Sequence, residues 1–399
     1  GTVTGVQTCA LPIYLGSIRG ELTASLDQLQ NELSQFVGLG DLRLAGALTT
    51  RISTQGDLAQ PGSTAVLNVV TTFNNLHIAG LDAIPPIDQQ ELQLTLIGNL
   101  YRGDRGEPML RRIRGAVATL RTGSAQDPAV DIELAGEIDF RPTAGGVTVE
   151  APNWQVRRFV IDLPKAQRDS SALQQMLADR QIAIPSGRFT LEAHGSYTGN
   201  TLSLADLRFT TNELTLATTE GVNIVESLTT TLATAGSIAL GDDATRILLS
   251  RLELSEPRNY LALRKTSRGD LAITLPAGGG FAAAGQVRAD VSLGMIAGIV
   301  RALQTDSGDD SALPIRRGFA TATLNFDADN GQTRFDTNLA VRNLVLLARG
   351  QPLEEQSLEL AMAGTATADL SDVRFSNLKL TSPRVSAEFA DLRLALADH

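Results

Sequence analysis

Thiols, imidazoles and large rings are scarce in this 399-residue chain, which has one Cys, three His, one Trp and four Tyr. His77, His194 and His399 are too few and too scattered in sequence to build a His-based metal centre. At 4% aromatic residues there is no material for base-stacking platforms. No run approaches the ~18 consecutive apolar residues of a membrane-spanning helix. Positive charge is also in deficit: 34 basic against 44 acidic residues leave a net charge of −10. A pI near 4.9 argues against an electrostatic footprint for nucleic acid or an anionic membrane surface. What remains is 43% hydrophobic and 20% charged residues, the balance of a folded protein. Length alone allows about two or three domains.

The first thirteen residues, GTVTGVQTCALPI, do not match the rest of the chain in pattern. Val3 to Ile13 back-translates codon for codon into a common short-read sequencing adapter, so residues 1–13 are read as a translated adapter and set aside from fold reasoning. On that reading the natural sequence begins at about Tyr14, in mid-protein, and an N-terminal leader or anchor would lie upstream. Cys9 falls inside the artefact, which leaves no thiol for a disulfide or a redox argument. The closing DLRLALADH still alternates like a strand interior, so the C-terminus is read as truncated too.

After Tyr14 the dominant signal is strict apolar–polar alternation, which sends one set of side chains to each face of a pleated strand. In DIELAGEIDF, Ile132, Leu134, Gly136, Ile138 and Phe140 share one face, while Asp131, Glu133, Glu137 and Asp139 take the other. The same pattern places Leu42, Leu44, Gly46 and Leu48 together, and likewise Leu92, Leu94, Leu96 and Gly98. It recurs for Phe189, Leu191, Ala193, Gly195 and Tyr197, for Ala322, Leu324 and Phe326, and for Leu358, Leu360, Met362 and Gly364. These are predicted antiparallel strands with one dry face. Clusters such as TQGDLAQPG, SYTGN and DADNGQ separate them at hairpin spacing.

Helices are few. SLDQLQNELSQFVGLG carries Leu26, Leu29, Leu33, Phe36 and Val37 at helical spacing, with a Ser25–Gln28 capping box before it and Gly38 and Gly40 to end it. SSALQQMLADR, with Leu173, Met176 and Leu177, and SLGMIAGIVRALQ, with Leu293, Ile296, Val300 and Leu303, are weaker counterparts. Each comes after a strand-like lead-in, as in WQVRRFVIDLP.

The pattern repeats. NNLHIAGL around Leu76, NELTLATT around Leu214 and RNLVLLAR around Leu344 are separated by 138 and 130 residues. A glycine closes the following strand in each case, at Gly98, Gly236 and Gly364. LELSEPR (Leu252 to Arg258) and LKLTSPR (Leu378 to Arg384) share the form LxL[ST]xPR. These marks divide the chain into units at about 14–150, 151–276 and 277–399. A unit of strand, short helix and about five long strands cannot bury its apolar face alone, so the units are expected to stack into one elongated sheet. A tandem array of β-sandwiches would use the same alternation. The glycines on the dry face argue against it, because they leave space where two sheets would interdigitate.

In these residues the chain resembles the AsmA-like and TamB-like proteins of the bacterial envelope, prokaryotic relatives of bridge-like lipid-transfer proteins. The likeness runs over residues 14–399 and rests on strands of the DIELAGEIDF kind, a helix opening each unit and the repeat length. It implies a mainly β fold, a long curved antiparallel sheet shaped like a taco, apolar inside and polar outside. It implies phospholipid acyl chains as the cargo, carried between inner and outer membranes, and membrane proteins of both as partners. A periplasmic or envelope location, with an N-terminal anchor in the missing segment, is implied as well. Such a function needs no active site. An acyl chain of ~14 to 16 carbons gains about 0.8 kcal/mol per CH₂ removed from water, so a continuous apolar shield suffices. Roughly 18 to 20 strands at ~4.8 Å would give a groove of roughly 90 Å. Its expected lining is Leu42, Leu44, Leu92, Leu94, Ile132, Leu134, Ile138, Phe189, Leu191, Leu324, Phe326, Leu358, Leu360 and Met362.

The sharper local signals are read as surface features. His194 alternates outward beside Glu192, and His77 has no Cys or second His near it in sequence. GLGDLRLAG and AGGGFAAAG lack the phosphate-cradling glycine patterns and are read as turns. Asp242–Asp243 and Asp309–Asp310 read as solvated loop charge, and Arg111–Arg112, Arg157–Arg158 and Arg316–Arg317 as ordinary surface cations. With no nucleophile, base, metal or cofactor site in view, an enzyme is not expected. The alternative to lipid carriage is a structural spacer or adhesin stalk whose apolar faces close on each other. Cutting a solenoid exposes strand edges at both ends, so the fragment alone is expected to self-associate.

Overall fold

A computed structural model describes residues 19–33, 42–56, 58, 60–80, 87–103, 110–123, 127–143, 146–179, 181–221, 223–241, 243–257, 261–277, 281–297, 315–329, 331–348, 351–367 and 372–395. The adapter-like segment 1–13 lies outside them, as do Phe36, Val37, Gly38, Gly40, Asp242, Val300, Leu303, Asp309 and Asp310. The fold is mainly β, and its strands pair antiparallel.

The contacts divide the chain into two units, residues 1–154 and 155–399. The first opens with β1 (Arg19–Ser25) and α1 (Leu26–Leu33), then runs through β2 (Arg43–Gly56), β3 (Thr64–Ala79), β4 (Ile87–Tyr101), β5 (Arg112–Thr122) and β6 (Val130–Thr143). Each strand is hydrogen-bonded to the next, making a six-stranded meander. The boundary falls inside β7 (Gly146–Asp162). α2 (Leu163–Asp169) and α3 (Ser171–Ala178) follow.

The second unit's meander contains β8 (Ile182–Thr198), β9 (Thr201–Thr218), β10 (Asn223–Leu240), β11 (Ala244–Ser255), β12 (Leu261–Lys265), β13 (Leu271–Pro276), β14 (Ala282–Ser292), β15 (Ile315–Asp329), β16 (Gln332–Ala348), β17 (Gln351–Thr367), β18 (Asp372–Thr381) and β19 (Ser386–Ala395). β12 and β13 both lie between β11 and β14, so together they fill one strand position. Hydrogen bonds between β13 and β14 carry the sheet across residue 276 without a break in this unit.

The helices follow from their caps. Ser25 Oγ accepts from the Gln28 amide at 3.5 Å to start α1, and Ser170 Oγ accepts from the Leu173 amide at 3.2 Å to start α3. α2 is unexpected from periodicity, being seven residues long and carrying Pro164 in its first turn, where a missing N–H does no harm. Asp162, the last residue of β7, caps it through the Lys165 amide at 3.2 Å. Leu293 to Ala297 are helical, as far as that segment is described.

A local backbone feature occurs three times. Asn75, Glu213 and Asn343 adopt φ of 51°, 49° and 52°, each just before Leu76, Leu214 and Leu344. A positive-φ glycine lies on the preceding long strand in each case, at Gly46, Gly187 and Gly318. A Cβ at Gly187 would sit 3.0 Å from Leu214 and 3.1 Å from Leu163, the first residue of α2. At Gly318 the corresponding neighbours are Leu293, at 3.2 Å, and Leu344, at 3.4 Å. Only a residue without a side chain allows the helix-opening leucine to seat there.

Candidate functional site

Cross-strand partners in an antiparallel ladder point to the same face, so the registers show which side chains lie together. In the first unit one row reads Leu22, Thr50, Thr71, Leu94, Leu120 and Ile132. The next reads Gly20, Ile52, Val69, Leu96, Ala118 and Leu134, and a third reads Ala24, Leu48, Phe73, Leu92, Thr122 and Val130. The hydroxyls of Thr50 and Thr71 meet at 3.1 Å, which satisfies both on an otherwise apolar surface.

The second unit carries a longer row. Leu191, Phe209, Leu232, Leu254, Leu263, Ala289, Ala322, Leu339, Leu360, Leu380 and Ala387 stand side by side on eleven successive strands, and none is polar. Beside it run Val287, Leu324, Thr337, Met362, Leu378 and Phe389. A further row, Gly285, Phe326, Phe335, Gly364, Phe375 and Leu392, sets a glycine beside each of its three rings. Phe335 and Phe375 meet edge to face across Gly364, with centroids 5.9 Å apart.

Burial decides what kind of face this is. Every residue of the eleven-strand row is half-buried, neither sealed nor fully wet. No large side chain among the described residues is fully buried. Leu22 is 60% exposed, Phe389 50% and Leu134 45%. The principal buried cluster is small: Leu100, Ile113 and Ala116, with Leu67, Ile138 and Phe140 packed against it.

The other face is ionic. On it Arg121 donates to Asp131 at 3.1 Å, and Arg51 pairs with Glu21 at 3.4 Å. Arg112 grips the buried Asp139 carboxylate with two hydrogen bonds, one of them from Nη2 at 2.8 Å. That bond to Asp139 raises the guanidinium pKa above its ordinary value. Burial pushes the Asp290 carboxyl up, but hydrogen bonds from Thr321 and Arg288 outweigh it and hold the group below its usual range. Asp372 is held low chiefly by its bond from Arg393, at 2.8 Å, with Arg374 adding to it.

The expected lining residues can now be placed. Leu92, Leu94, Ile132 and Leu134 lie in the three rows of the first unit, and Leu191, Leu324, Phe326, Leu360 and Met362 in those of the second. Leu358 faces Val341 one step along, and Phe189 faces the buried Thr211. Ile138 packs into the small buried cluster. Leu44 lies beyond the bulge that β3 makes opposite Gly46, paired with Ile78, where Gln30 of α1 accepts from its amide at 2.6 Å and donates to the Leu42 carbonyl at 2.7 Å. The backbone of Leu42 and Leu44 thus runs beside α1.

Sequence patterning missed Phe209, Leu232, Leu339 and Leu380, although TLSLADLRF and NLKLT alternate as plainly as the segments chosen. The glycines also differ from expectation. Gly98 and Gly364 do not leave open space: a Cβ at Gly98 would sit 2.5 Å from Ile113, and one at Gly364 would collide with the Arg374 carbonyl. Both mark bulges, where the neighbouring strand closes in.

His77 meets Asp88 across strands at 2.5 Å, and His194 is exposed. Among the described residues no group of three or more His, Cys, Asp or Glu is placed to hold a metal, and no helix is long and apolar enough to cross a membrane. No family model, curated protein or solved structure matches the chain.

Proposed function

We propose that this protein carries lipid acyl chains on its apolar face and passes them between membranes of the bacterial envelope without catalysing a reaction, as an AsmA-like or TamB-like protein would. The observation that supports it is the row from Leu191 to Ala387, apolar on eleven strands and half-buried throughout. A face that closed on a second layer, as in a spacer or stalk, would hold fully buried leucines. Cargo recognition is by shielding alone, with the headgroup in water and no polar pocket required. Periplasmic placement, membrane-protein partners and an anchor belong to the same proposal.

The proposal includes a threefold repeat opening at β1, β7 and β14. It is supported by the recurrence of the left-handed residue before Leu76, Leu214 and Leu344, with its glycine opposite. Each of these strands ends at a leucine that starts a helix, at Leu26, Leu163 and Leu293.

Photo-crosslinking in cells tests the reading, with the probe at Leu134 or Leu360 and controls at Glu133 and Glu359 on the opposite face. Phospholipid adducts at the two leucines and none at the glutamates are expected. Protein-only adducts, or none, at both leucines would mean that the face is sealed and would leave the stalk as the better account.

A further inference from the structure

The apolar rows of the second unit meet one charge. Lys265, the last residue of β12, stands opposite Val287 and so heads the row that continues through Leu324, Thr337, Met362, Leu378 and Phe389. No other residue placed in the three rows of this unit is charged. We infer that Lys265 takes the phosphate of a phospholipid headgroup, so that this face accepts phosphate-bearing lipids in preference to neutral lipids with the same chains. The inference rests on the proposed carriage of acyl chains on that face; shielding holds the chains, and the ammonium adds a choice of headgroup.

The sheet holds the ammonium in place through a local break in its ladder. β12 and β13 share one strand position, and residues 266–270 leave the ladder between them as an outcrop. On β11 the register to β10 passes from Arg251 to Leu249, so Ser250 is an added residue at the same place. Both irregularities free backbone carbonyls. Lys265 Nζ donates to the Ser250 carbonyl at 3.0 Å and to the Ser267 carbonyl at 3.1 Å. Those bonds fix the ammonium and leave it a donor to spare.

The carbonyls alone do not account for a lysine. A neutral donor would satisfy them, whereas a charge half-buried on an apolar face costs free energy unless an anion meets it. Among the described residues no carboxylate pairs with Lys265. Nearby acids are engaged on the other face, where Arg251 binds Glu253 and Arg288 binds Asp290. Arg268 and Asp270 of the outcrop are both exposed and cancel. A lipid phosphate supplies the anion through a charge-assisted hydrogen bond. Leu263 and Ala289, members of the eleven-strand row, lie two residues along, about 7 Å away. A lipid held by its phosphate at Lys265 therefore lays its chains on that row.

The test titrates the full chain with phosphatidate and with diacylglycerol that carry the same fluorescent acyl chains. Phosphatidate is expected to bind about tenfold more tightly, the effect of one charge-assisted hydrogen bond. Lys265→Gln keeps a donor for the carbonyls but no charge. It should bring phosphatidate down to the diacylglycerol affinity and leave diacylglycerol unchanged. Arg264→Gln removes the same charge from the preceding residue, exposed on the ionic face opposite Arg288, and should preserve the ratio. A ratio that collapses in Arg264→Gln, or a loss in Lys265→Gln that is the same for both lipids, would overturn the inference. Inorganic phosphate separates the free ion from the headgroup: if it erases the preference at the lipid's own concentration, the ammonium takes the ion without the chains and the assignment to lipid fails. Equal binding of the two lipids by the parent chain sinks only the choice of headgroup, whereas binding of neither sinks the proposed cargo itself.

Discussion

Leu134→Ala separates an open apolar face from a sealed one. Leu134 stands opposite Ala118 on the row that begins at Gly20, and it is 45% exposed. Complete burial of a leucine side chain stabilises a protein by about 1.5–3 kcal/mol. With nearly half the side chain already wet, truncation forfeits roughly 1 kcal/mol, and no cavity forms because the space opens to solvent. Leu26, the first residue of α1 and 5% exposed, is the internal standard, and its truncation should cost about 2–5 kcal/mol. Urea unfolding followed by far-UV circular dichroism reads both variants against the parent. A Leu134→Ala cost equal to that of Leu26→Ala would refute the reasoning, because it would mean that something packs over Leu134. Repeating the measurement with bound phospholipid should enlarge the Leu134→Ala effect and leave the Leu26→Ala effect unchanged.

Gly364→Val places a side chain against the Arg374 carbonyl at a bulge and should destabilise by roughly 1–3 kcal/mol, whereas Gly20→Ala, with open space around it, should stay within about 0.5 kcal/mol in thermal unfolding. Arg112→Ala strips the buried Asp139 of both hydrogen bonds and should cost about 2–3 kcal/mol in urea unfolding at neutral pH; a cost no larger than that of an exposed ion pair would show that Asp139 finds other donors. Asp372 is held below its ordinary value of 3.8, so its contribution is complete above that value and fades as pH falls through the lowered one. Asp372→Asn should therefore be less stable than the parent near neutrality, with the difference vanishing in strong acid. A gap between the two melting curves that does not change with pH would contradict this.

Alternation was the most legible feature of the sequence, because a period of two names the face of every residue once the strand is known. Leu92, Leu94, Ile132, Leu360 and Met362, which alternation picks out, lie in register with other apolar residues on neighbouring strands. Alternation fails at bulges, where one added residue resets the count. Leu44 and Leu48 form one series in DLRLAGALT, and the irregularity between them lies on β3, which carries the added residue: Ala45 pairs with His77 and Ala47 with Asn74. Composition misleads at Gly98 and Gly364 for the same reason: a glycine looks like a gap, but here it admits a neighbour's side chain or backbone. α2 escaped notice because seven residues carry too little periodicity to register. The Asp162 cap and Pro164 were its only sequence marks.

On the proposed reading the half-buried apolar row of the second unit takes an occupant, since large contiguous apolar patches are uncommon on proteins that act alone. The proposed cargo meets that need in a particular way. An acyl chain of ~16 carbons lying on one face has about half its surface shielded, which amounts to ~6 kcal/mol at about 0.8 kcal/mol per CH₂. Leaving the face for water forfeits all of that. Moving along it exchanges Leu339 for Leu360, or Ala289 for Ala322, and forfeits almost nothing, because the row offers no polar anchor at which to stop. Escape is therefore costly and sliding is nearly free. On the proposed reading that difference arises because the eleven-strand row carries no polar residue, which suits conduction more than storage.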